Sequence, residues 1–179
     1  MSKNNKNSQA LYRLVICAFL VALSIVCGKV LKLDTGTLRF SFENLPILFA
    51  GLAFGPVTGV LVGVSADLVG CVAVGYTPIP MVTIGAACIG LLSGLGGILL
   101  RRLPLGWQVG LSTGVAHFVG SVAIKTVGLA PVYGQPYPVL FGWRVLNYAI
   151  VGVAEAFLVY YLLRHPGIRR YLPQRKGGA

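Results

Sequence analysis

Between residues 38 and 70 the chain reads LRFSFENLPILFAGLAFGPVTGVLVGVSADLVG, and no other stretch limits its folding as much. Two of the four acidic residues, Glu43 and Asp67, lie in it among apolar side chains, on either side of a Gly55-Pro56 break. A carboxylate in hydrocarbon costs about 3 kcal/mol on insertion scales, so it faces a partner, a cavity or a ligand. The stretch therefore predicts two membrane helices lining a solute pocket, with the remaining chain as their frame. Composition agrees, at 56% hydrophobic and 11% charged residues with a mean hydropathy of +0.81. Several runs approach the ~20 apolar residues that cross a bilayer.

The net charge of +11 could signal nucleic acid, but its placement argues against that partner. Ten of the fifteen basic residues fall in three places: Lys3, Lys6 and Arg13; Arg101 and Arg102; and Arg164, Arg169, Arg170, Arg175 and Lys176. Under the positive-inside rule these intervals lie on the cytoplasmic side, which puts both termini there. Cys17, Cys27, Cys71 and Cys88 lie in apolar runs without metal-type spacing. They read as small buried residues, with no metal site and no disulfide framework. The first apolar run lacks an A-x-A cleavage site and is expected to stay in the protein.

The expected fold is an all-α integral membrane protein, a compact bundle of six transmembrane helices within residues 10–164. The spans are about 10–31, 43–54, 57–74, 81–100, 107–128 and 139–163. Residues 1–9 are read as a disordered cytoplasmic N-terminus, and 165–179 as a basic cytoplasmic tail. The second span is only about 18 Å long, so the first outer loop, 32–42, is expected to dip into the membrane where protein covers it. A single kinked helix over 43–74 would be about 48 Å long and would carry the basic tail outside, against the charge bias. In the first span, Ala18 and Ala22 form a small-xxx-small pair that lets another helix approach closely.

No nucleotide-binding, zinc-protease or serine-hydrolase motif is present. Ser93 and His117 form the one nucleophilic arrangement worth naming, an intramembrane hydrolase reading outweighed by ordinary packing roles for both. Five basic residues run against the charge bias toward the outer rim: Lys29, Lys32, Arg39, Lys125 and Arg144. Lys29 and Lys32 fit snorkelling. Lys125 and Arg144 suit either an anionic solute or an internal ion pair with Asp67. Glu43 and Asp67 could accept an amidine-like edge such as that of a 2-amino-4-oxo pterin. Phe40, Phe42, Tyr76, Tyr133, Tyr137 and Trp143 could stack on a flat heterocycle or form an interface belt. Glu155 reads as a packing or partner contact rather than a solute ligand.

The segment LRFSFENLPILFAGLAFGPVTGVLVG followed by ADLVG, the Ala18-x-x-x-Ala22 pair, and the VYGQPY…R-x-x-N pattern from Tyr133 to Asn147 together resemble the substrate-binding S component of an energy-coupling-factor (ECF) vitamin transporter, folate family. The resemblance implies a multi-pass subunit of the bacterial cytoplasmic membrane that is no enzyme and holds no cofactor. It would bind a vitamin from outside with its outer loops as a lid, then dock on a transmembrane coupling subunit driven by two cytosolic ATPase subunits. Ala18 and Ala22 inherit the role of facing the coupling subunit. The ligand-contact set proposed from residue chemistry, not carried over from the family, is Arg39, Phe42, Asn44, Asp67, Tyr76, Lys125, Tyr133, Tyr137, Arg144 and Asn147. The second outer loop, GYTPIPMVT, departs from the aromatic-Pro-Gly pattern of folate-type members, which keeps a folate derivative or another vitamin as alternatives.

Overall fold

The computed structural model describes residues 3–30, 33–34 and 39–169. Helix α1 (Lys3–Ile25) continues into a π-helical segment (Val26–Val30). A minimal ribbon follows, in which β1 (Leu33–Asp34) pairs antiparallel with β2 (Arg39–Phe40), Asp34 opposite Arg39. The remaining elements are α2 (Leu45–Phe54), α3 (Pro56–Ala73), α4 (Pro80–Leu99), α5 (Leu105–Ala116), a second π-helical segment (His117–Ile124), α6 (Lys125–Tyr133), α7 (Tyr137–Arg164) and the single turn α8 (Pro166–Arg169). The expectation of an all-helical membrane protein holds apart from that two-residue ribbon in the first loop. Helical backbone reaches back to Lys3, ahead of the start near Ala10. Beyond Arg169 the basic tail lies outside the described residues.

Among the described residues, five helical stretches are long and apolar enough to cross a bilayer: Leu11–Lys29, Pro56–Ala73, Pro80–Leu99, Leu105–Tyr133 and Tyr137–Arg164. Their outward faces carry Leu14, Phe19, Val57, Val72, Leu99, Phe118, Val153 and Phe157, all well exposed, as lipid-facing surfaces require. Helix α2 is different. Its ten residues span about 15 Å, half the hydrocarbon core, and Pro46 through Leu52 are all buried. A helix apolar on every side belongs at the centre of a bundle.

The break between α2 and α3 is built by Gly55, whose φ of 100° disfavours any side chain, followed by Pro56 in the first turn of α3. Helix α3 then packs on α4 with almost no side chain between them. A Cβ on Gly63 would fall 2.5 Å from the Ala86 carbonyl oxygen, and one on Gly59 or Gly90 would strike the facing backbone. Small residues at four-residue spacing, Gly59 and Gly63 against Ala86, Gly90 and Gly94, allow that approach. Leu48, Ile89, Val62, Val109 and Val159 complete the apolar core.

Candidate functional site

A small polar cavity lies where α1, the start of α2, α3, α4 and α6 converge. Ser24, Gly28, Lys29, Glu43, Asp67 and Lys125 line it together with Ile25, Ile47, Gly63, Ala66 and Ala86. Its volume is about 20 Å³, room for roughly one water molecule. Both π-helical segments border it: the first contributes Gly28 and Lys29, and the second delivers the chain to Lys125. A π turn re-aims the side chains that follow it, and such turns concentrate at functional sites.

Lys125 is the centre of the cluster. It is 3% exposed, its Nζ lies 3.2 Å from Glu43 Oε1 and it donates to Asn44 Oδ1 at 3.3 Å. Gly85 leaves the space for its stem, since a Cβ there would fall 2.5 Å from Lys125 Cγ. Glu43 is fastened at its backbone, where its carbonyl accepts the Ser24 hydroxyl at 2.6 Å. Across the cavity, Thr83 Oγ1 donates to Asp67 Oδ2 at 2.6 Å, which orients that carboxylate from the neighbouring helix. The wall thus holds two ammonium groups, Lys29 and Lys125, and two carboxylates, Glu43 and Asp67. Such a ring matches a polar ligand that presents both hydrogen-bond donors and negative charge.

Asp67, Lys125 and Asn44 are therefore brought together, and neither Lys125 nor Arg144 pairs with Asp67. Arg144 is directed elsewhere: its Nε and one terminal nitrogen donate to the Ser121 carbonyl at 3.1 and 2.6 Å, and it lies over the Tyr148 ring. It thereby satisfies a carbonyl of the second π-helical segment. Asn147 is buried on α7 one turn further in. The Tyr76 ring sits 5.6 Å from Lys29 Nζ, close to the cavity mouth. Tyr137 stacks on Phe141 at 5.8 Å, while Tyr133 and Phe42 are exposed. For Arg39 only the backbone, in β2, is described.

Ser24, Lys29 and Glu43 line the cavity and Thr83 orients Asp67 in it, and none of the four stands in the ligand set read from sequence. Glu43 carried a signal, a carboxylate at a helix start in an apolar run; Thr83 and Ser24 act across helices and carried none. A second unforeseen cluster lies deeper. His117 Nε2 is 2.6 Å from Glu155 Oε2, its Nδ1 is 3.3 Å from Ser121 Oγ, and its ring stacks on Tyr148. Two intramembrane titratable groups on consecutive long spans was the available signal, because such groups commonly pair. Ser93 instead donates to the Gly90 carbonyl at 3.1 Å, so the hydroxyl and imidazole of the hydrolase reading are each engaged by other groups. A larger cavity of about 570 Å³ lies between α5 and α7, walled by Gly110, Gly114, Phe118, Val145 and Val153 with His117 and Tyr148 at its edge. Its lining offers little to a charged solute.

Lipid-exposed helices closed around a small charged cavity define a multi-pass membrane protein with a polar interior. Residues 12–166 match the model for the substrate-specific component of ECF transporters, and the chain belongs to that family. A folate transporter, FolT, from Clostridium novyi (strain NT) is 25% identical over 154 residues, covering 82% of this chain and 85% of the relative. Among solved structures, FolT bound with folic acid superposes with a TM-score of 0.67 at 23% identity, covering 83% of this chain and 90% of that one. The S component for biotin from an ECF-type transporter gives 0.60 at 18% identity, covering 97% and 100%.

Proposed function

We propose that this S component captures folate or a folate derivative at the outer face of the bacterial cytoplasmic membrane. The observation that carries the reading is the cavity in which Thr83-oriented Asp67 faces the Lys125 ammonium. A pterin edge with an amino group and a ring N–H suits the Asp67 carboxylate, and a glutamate carboxylate suits Lys125. The folate-transporting relative and the folic-acid-bound neighbour support the same ligand. Arg39, Phe42, Asn44, Tyr76, Tyr133, Tyr137, Arg144 and Asn147 are proposed as further contacts once the outer loops close as a lid. A cavity of about 20 Å³ has to widen to admit such a ligand.

In this reading α2 counts as a sixth, short span, which gives a six-helix membrane domain over 10–164 with both termini, 1–9 and 165–179, in the cytoplasm. Ala18 and Ala22, exposed on α1, would face the coupling subunit, and two cytosolic ATPases would drive transport. The chain itself would perform no catalysis.

Titration of the purified, detergent-solubilised protein with folate, followed by intrinsic tryptophan fluorescence, tests the proposal, with riboflavin, pantothenate and biotin as controls. Saturable binding selective for folate is expected. Selective binding of a control vitamin would replace the ligand but keep the family role; no binding of any of them by folded protein would contradict the reading.

A further inference from the structure

The Glu43 carboxylate occupies the position beside Lys125 that a ligand carboxylate needs. Its side chain is about one-quarter exposed, whereas that of Lys125 is almost wholly buried. The Ser24 hydroxyl donates to the Glu43 backbone carbonyl, not to its carboxylate. The room for that side chain comes from Gly28 in the first π-helical segment: a Cβ there would fall 2.7 Å from both Glu43 Cβ and Glu43 Oε2. The cavity wall is thus shaped around a partly exposed carboxylate, paired to a buried ammonium.

We propose that Glu43 is an exchangeable internal counter-ion: it holds Lys125 before ligand arrives and yields that place to a carboxylate of the ligand, so that Glu43 sets how tightly the site takes anionic ligands. The inference rests on the reading of an anionic vitamin as ligand. A buried ammonium without a partner is strongly unfavourable, and the exchange keeps Lys125 paired at both ends of the binding step. Asn44 Oδ1, the second acceptor on Lys125, stays with it throughout because Asn44 is fully buried. The displaced Glu43 carboxylate swings toward water through its exposed edge, where hydration compensates it. A neutral ligand offers Lys125 nothing in return and leaves Glu43 in place. Glu43 therefore lowers affinity for anionic ligands and leaves affinity for neutral ones unchanged.

The test compares wild type, Glu43→Gln and Glu43→Asp in calorimetric titrations with folate and with a pterin lacking the glutamate. Glu43→Gln leaves Lys125 without its charged partner until ligand binds, so folate should bind about tenfold tighter. The carboxylate-free pterin should bind as it does to wild type. Glu43→Asp, with its carboxylate drawn back from Lys125, should fall between the two, and it serves alone if Glu43→Gln does not fold. Weaker folate binding by either variant would show that Glu43 contacts the ligand directly and would overturn the inference. Equal tightening for folate and pterin would show a general loosening of the pocket and would overturn it too. Folate binding absent in the wild type would instead sink the folate reading itself, and the inference with it.

Discussion

The two halves of the bundle are held together in opposite ways. On one side, α3 lies on α4 backbone to backbone, with Gly59, Gly63, Gly90 and Gly94 leaving no space for a methyl group. On the other, α1, α6 and α7 meet the rest through polar side chains that reach across: Ser24 to Glu43, Lys125 to Glu43 and Asn44, Arg144 to the Ser121 carbonyl, His117 to Glu155. Both π-helical segments carry such contacts, although Gly120 of the second also meets Gly85 of α4 backbone to backbone. Between helices in a membrane there is little hydrophobic drive, so close van der Waals contact and interhelical hydrogen bonds do the holding. The glycine seam has a single arrangement, because rigid backbone cannot repack. The polar side can exchange one hydrogen-bond partner for another. A solute site is expected where the exchanging side begins, and the cavity lies on that border, with Gly63, Ala66, Asp67 and Ala86 of the rigid side in its wall.

The contrast can be broken at its strongest point by Gly90→Val. With the added side chain driven onto the Gly59 carbonyl, a loss of about 3 kcal/mol or more is expected in thermal or denaturant unfolding of the purified protein. A loss below about 1 kcal/mol would mean the seam adapts and the two halves are not different in kind. On the polar side, Lys125→Met should spare the fold, because the Glu43 side chain is about one-quarter exposed, yet reduce folate affinity about 100-fold. Unfolding without any change of affinity in the folded fraction would make Lys125 structural only. A smaller effect is expected of Asp67→Asn, since the Thr83 hydroxyl can still donate to the amide oxygen. Stability should stay within about 0.5 kcal/mol while folate affinity drops about tenfold. Smallest of all is Gly114→Ala, where an added Cβ meets nothing within 4 Å. A change within about 0.5 kcal/mol is expected there. A large one would place an unseen close contact on the α5–α7 groove.

The seam and the cavity differ in how far they could be read from sequence. A Gly-Pro pair inside an apolar run announces a chain reversal, because Gly55 at φ 100° and Pro56 at a helix start are local requirements. Carboxylates embedded in hydrocarbon announce a polar interior, and Glu43 and Asp67 do lie on one cavity. Which groups would pair was not legible. Lys125 chooses Glu43 over Asp67, and Asp67 takes a threonine from the next helix, because these choices depend on helix rotation. Rotation in turn is shifted by the two π-helical segments, and a one-residue widening of a turn leaves no compositional mark. Arg144 shows the same effect. It is a cation near the outer end of a span, and its partner is a backbone carbonyl inside a π-helical segment.

The structure of the protein with folate bound would test the account most directly, because the two cavities make different demands on the ligand. The account predicts the pterin edge on Asp67, a glutamate carboxylate at Lys125, and the cavity between α1, α3 and α6 widened around them. Folate seated instead in the apolar groove between α5 and α7, with Asp67 and Lys125 untouched, would contradict it.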